Sequence, residues 1–66
     1  MSTNYFLRVI TKDDVFHAEI AYPSAMVKLS EIVSRLGAEG IPYRVETVSE
    51  DQYEEYIAAH PEARFV

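Results

Sequence analysis

The chain has 66 residues, 48% of them apolar, with five tyrosines, three phenylalanines, no cysteine and a formal net charge of −5. That length makes one domain, residues 1–66, near the lower limit for independent folding, and the composition excludes a disordered polymer, a disulfide framework and thiol chemistry. No apolar run approaches the roughly 18–20 residues needed to cross a bilayer, and the start lacks a basic leader with an apolar run behind it, so a cytoplasmic location is expected.

Residues 4–10, "NYFLRVI", are aromatic and β-branched, with Leu7 and Val9 on one face and Arg8 on the other. That pattern predicts a strand. After the polar break "TKDD", residues 15–22 alternate: Phe16, Ala18, Ile20 and Tyr22 against His17 and Glu19. A β-hairpin follows from the two strands and their short loop.

Pro23 suits a helix start, and Met26, Leu29, Ile32, Val33 and Leu36 form one apolar stripe over residues 24–36. Gly37 stands where a left-handed cap is expected, with Gly40 marking the turn back to the sheet. Residues 41–48, "IPYRVETV", alternate again, and Pro42 suits an edge or the first positions of a strand. Ser49 with Gln52 three residues on is a capping-box signature, so a second helix starts there, and Pro61 ends it near His60. Residues 63–66 are left open between a short strand and a docked tail. The expected fold is α+β, ββαβα: a three-stranded antiparallel sheet in the order 2-1-3, a crossover helix on one face and a C-terminal acidic helix.

The charge is uneven. Residues 1–44 balance five acids with five bases, whereas residues 45–63 hold Glu46, Glu50, Asp51, Glu54, Glu55 and Glu62 and no lysine or arginine. Direct nucleic-acid binding and attachment to an anionic membrane are disfavoured, because both need a basic patch. Glu50–Glu54 and Asp51–Glu55 are like-charge i,i+4 pairs that oppose the helix carrying them.

Catalytic chemistry finds no constellation. His17 and Glu19 share a strand face, but two groups make neither a metal site nor a catalytic set. The expected setting is a solvated face shared with Arg8, Arg44 and Glu46, with no metal, no cofactor and no enzymatic activity. His60, before a proline at a helix end, is placed to cap that end.

The passage "GIPYRVETVSED" with the following "YIAAH" resembles the helix–strand–helix middle of glutaredoxin-like proteins, and "VITKDD" is similar to the approach to their active-site loop. The family's redox dithiol would fall at "VFHA" or "YPSA", neither of which has a cysteine, so the resemblance implies no redox activity here.

Two surfaces remain as expectations. One is the acidic, tyrosine-bearing second helix with its approach (Glu46, Glu50, Asp51, Tyr53, Glu54, Glu55 and Tyr56), expected to meet a protein with a basic surface as a regulator, inhibitor or nucleic-acid mimic. The other is the second strand, an edge in the 2-1-3 order, where Val15, His17, Glu19 and Ala21 would pair with a partner's strand or with a second copy in a homodimer. Small size and acidity suit a phage or mobile-element protein.

Overall fold

The computed structural model describes residues 4–65, with side chains through residue 63. Val66, the last residue of the segment left open by the sequence, lies outside the described residues. The elements run β1 (Tyr5–Ile10), β2 (Val15–Glu19), α1 (Pro23–Ala38), β3 (Arg44–Ser49), α2 (Glu50–Ala59) and β4 (Arg64–Phe65).

β1 is the central antiparallel strand, pairing Arg8 with His17 on β2 and with Glu46 on β3. The expected 2-1-3 order is therefore present. β4 extends it by pairing parallel to β2 at Phe16 and His17, which gives the order β3-β1-β2-β4. The hairpin turn is organised by Thr11. Its hydroxyl accepts the backbone N–H of Asp14 (2.9 Å), and its own N–H donates to Asp14 O (2.8 Å). β2 stops at Glu19 rather than Tyr22, because Tyr22 N–H turns back to Glu19 O (3.2 Å) ahead of Pro23.

α1 begins with Pro23, whose missing N–H is no loss in a first turn, and runs through Gly37 to Ala38. Gly37 is therefore helical, contrary to its expected cap role. The left-handed residue is Gly40 (φ 70°), flanked by Gly40 N–H to Gly37 O (3.2 Å) and Ile41 N–H to Leu36 O (2.9 Å). These two bonds are a Schellman cap. β3 starts at Arg44 rather than Ile41, and Pro42, with no N–H to give a ladder, lies before it.

Each face of the sheet carries one helix. Val9 and Ala18, both fully buried, pack with Ala25, Leu29 and Leu36 of α1, joined by Leu7, Phe16, Met26, Ile32 and Val33. Met26, Leu29, Ile32, Val33 and Leu36 are the expected stripe. On the opposite face α2 lies over β1 and β3 and covers Phe6, Arg8, His17 and Val48, so the face expected to be solvated is occupied. α2 starts as expected: Ser49 N–H donates to Gln52 Oε1 (2.9 Å), and Gln52 N–H donates to Ser49 Oγ (3.3 Å).

Candidate functional site

The face beneath α2 is built from aromatic rings and one cation. Tyr53 stacks on Phe6 with ring centroids 4.1 Å apart and meets the His17 ring edge-on at 5.0 Å. Tyr56 lies 5.4 Å from His17 and stacks on His60 at 4.2 Å, and the Arg8 guanidinium sits 4.2 Å over the Tyr56 ring. The i, i+3, i+7 spacing of Tyr53, Tyr56 and His60 puts all three on the sheet-facing side of α2. Burial pushes the Tyr53 phenol above its usual range, reinforced by the Glu19 and then the Glu54 carboxylates.

His17 is at the centre and wholly buried. Arg8 Nε–H donates to its Nε2 (2.9 Å), and Arg8 Nη2 reaches the backbone oxygen of Gln52 (3.4 Å), so one arginine joins β1, β2 and α2. Arginine can only donate, which makes Nε2 the acceptor and leaves the ring proton on Nδ1. Nδ1 is buried without a hydrogen-bond partner among the described residues. Burial first, and then the charge of Arg8, lowers the His17 pKa from 6.5 to about 4. The ring is neutral at physiological pH, its basic nitrogen is engaged, and no solvent reaches it. Among the described residues no group of three or more histidines and carboxylates is placed to hold a metal ion.

The expected acidic surface divides in two. Tyr53 and Tyr56 point inward and anchor α2, while Asp51, Glu54 and Glu55 are exposed on its outer side. Glu50 is half-buried in the first turn, and Glu46 is half-buried on β3, 3.7 Å from Arg44. His60 caps the end of α2, with its N–H bonded to Tyr56 O (2.8 Å).

The expected pairing edge on β2 is altered. Ile20 N–H donates to Tyr5 O (3.0 Å), so the backbone groups of Val15, His17 and Glu19 do point away from β1. That is the side on which β4 pairs. His17 is sealed and Ala21 lies in the turn beyond the strand, so β2 is not the free edge the sequence suggested.

The open edge is β3. Glu50 N–H donates to Asn4 O (3.0 Å), which fixes the parity of the β1–β3 ladder: Arg44, Glu46 and Val48 bond to β1, and Val45, Thr47 and Ser49 face outward. The Ser49 N–H is taken by Gln52. No strand pairs with the outward groups of Val45 and Thr47 among the described residues. Beside them α1 packs mainly over β2 and leaves a mainly apolar groove of about 230 Å³ against Leu7, Val9, Met26, Leu29, Val33 and Val45, with Ser30 and Ser34 also lining it. Val45 is 47% exposed and Tyr43 42%. The expected 2-1-3 order already made β3 an edge, and Pro42, read as marking an edge or the first positions of a strand, stands just before it.

No protein-family model matches the chain, and no curated protein or solved structure shows significant similarity to it. No helix among the described residues is long and apolar enough to cross a membrane.

Proposed function

We propose that this chain is a non-catalytic protein-binding module whose binding surface is the outer edge of β3. The observation that carries this reading is the coincidence of outward backbone groups at Val45 and Thr47, unpaired among the described residues, with the adjoining groove. An added strand gains affinity from the backbone ladder and selectivity from the side chains it sets in such a groove. A regulator, inhibitor or accessory subunit would work in this way.

A photo-crosslinker in place of Thr47, compared in cells with one in place of Glu54, tests the reading. Cross-links to protein from position 47, abolished by Val45→Pro, are expected. Proline there removes a donor that points outward and takes none from the β1 ladder. Circular dichroism verifies that the variant keeps its fold. Cross-links from position 54 alone would move the interface to α2.

That alternative rests on its own observation. Asp51, Glu54 and Glu55 are exposed on a helix with no lysine or arginine, firmly anchored by its tyrosines, and would meet a basic surface, including one that otherwise holds nucleic acid. Its mark is binding that falls steeply with salt.

A further inference from the structure

Edge strands that must stay single usually carry charges that repel a second copy. β3 carries the reverse arrangement. Arg44 and Glu46 have opposite sign, lie two residues apart on the same face and are 3.7 Å from each other. Between them is Val45, on the opposite face, with its backbone N–H and C=O directed outward.

We infer that the occupant of the β3 edge is a second copy of this chain, paired antiparallel about a two-fold axis through Val45. The inference rests on the strand-addition reading above and names its partner. Centred there, Val45 faces Val45 of the second copy as a pair that exchanges both backbone hydrogen bonds, which its outward groups permit. Arg44 then lies opposite the second copy's Glu46, and Glu46 opposite its Arg44, in the non-hydrogen-bonded pairs where side chains approach most closely. With the existing Arg44–Glu46 contacts, the four charges form a ring of alternating sign.

On the other face Tyr43 lies opposite Thr47 of the second copy, and the two exposed valines cover each other. Moving the centre one residue, to Arg44 or Glu46, sets like charges opposite each other, so charge selects the register. A two-fold operator closes the assembly at two chains joined by one continuous sheet. Contact limited to one short strand pair and its flanking side chains makes a weak dimer, with Kd on the order of ten to a hundred micromolar.

The test is sedimentation equilibrium of the purified chain and its charge variants, with thermal unfolding to verify that each is folded. Wild type is expected to dimerise with concentration. Arg44→Glu alone and Glu46→Arg alone each place two like-charge pairs across the axis and weaken the dimer about tenfold or more. Mixing these two variants is expected to restore association as a heterodimer, because every cross-axis pair is then opposite in sign. The double variant R44E/E46R restores the homodimer.

A dimer indifferent to these reversals uses another surface and overturns the inference. A chain monomeric to about 1 mM overturns it too. In that case proline-sensitive cross-links from position 47 to another protein would leave the strand-addition reading standing, and their absence would end both.

Discussion

At the scale of single residues, His17 ties the packing beneath α2 to pH. Its neighbours are Arg8 on β1, Glu19 two residues along its own strand, and Tyr53 and Tyr56 on α2. Burial disfavours any charge at all, and the Arg8 guanidinium disfavours an imidazolium further. The folded pKa of about 4 lies below the value of 6.5 in the open chain, so the unfolded state binds a proton that the native state excludes. The contribution to stability is therefore complete above about pH 6.5 and is lost as pH falls towards 4. Its ceiling is about 3 kcal/mol, less whatever solvent screens from the partly exposed Arg8. A glutamine at position 17 keeps an acceptor for Arg8 and does not titrate. Urea unfolding at pH 7, 5.5 and 4.5 should show wild type losing stability faster than His17→Gln across this range. Parallel losses would mean that His17 is protonated equally in both states.

At the scale of elements, the two glycines at the end of α1 make opposite predictions. Gly37 lies inside the helix with a negative φ, and a Cβ added there would meet nothing within 4 Å. Gly37→Ala should therefore stabilise the fold by about 0.5–1 kcal/mol through helix propensity alone. Gly40 occupies the left-handed position at φ 70°, so Gly40→Ala should destabilise by about 1 kcal/mol. Thermal unfolding of the two variants checks both signs, and equal effects would contradict the Schellman cap. The sequence alone favoured Gly37 because it directly follows the apolar stripe. Periodicity marks where burial ends, and a helix continues past that point when its backbone bonds remain available. The start of α2 was legible because a capping box is local chemistry, complete in Ser49 and Gln52. Alternation likewise placed His17 and Arg8 on one face of the sheet. It could not show that α2 returns to cover that face, since the tyrosine spacing fits docking on several surfaces. β4 spans two residues, too few for any period to declare itself.

For the whole molecule, the arrangement of edges decides what an added strand would do. β4 is only two residues long and pairs with β2 at Phe16 and His17. β3 is six residues long and unpaired on its outer side among the described residues. One long open edge admits one added strand, and the proposed pairing with a second copy would close the assembly. Two open edges on one sheet would instead propagate, because each added chain presents a fresh edge. Removing residues 64–66 converts the first situation into the second. The shortened chain loses the pairing at Phe16 and His17 and leaves a second edge open on β2. Light scattering should show assemblies growing past two chains as concentration increases. If scattering instead stops at the dimer, β2 protects its edge without β4.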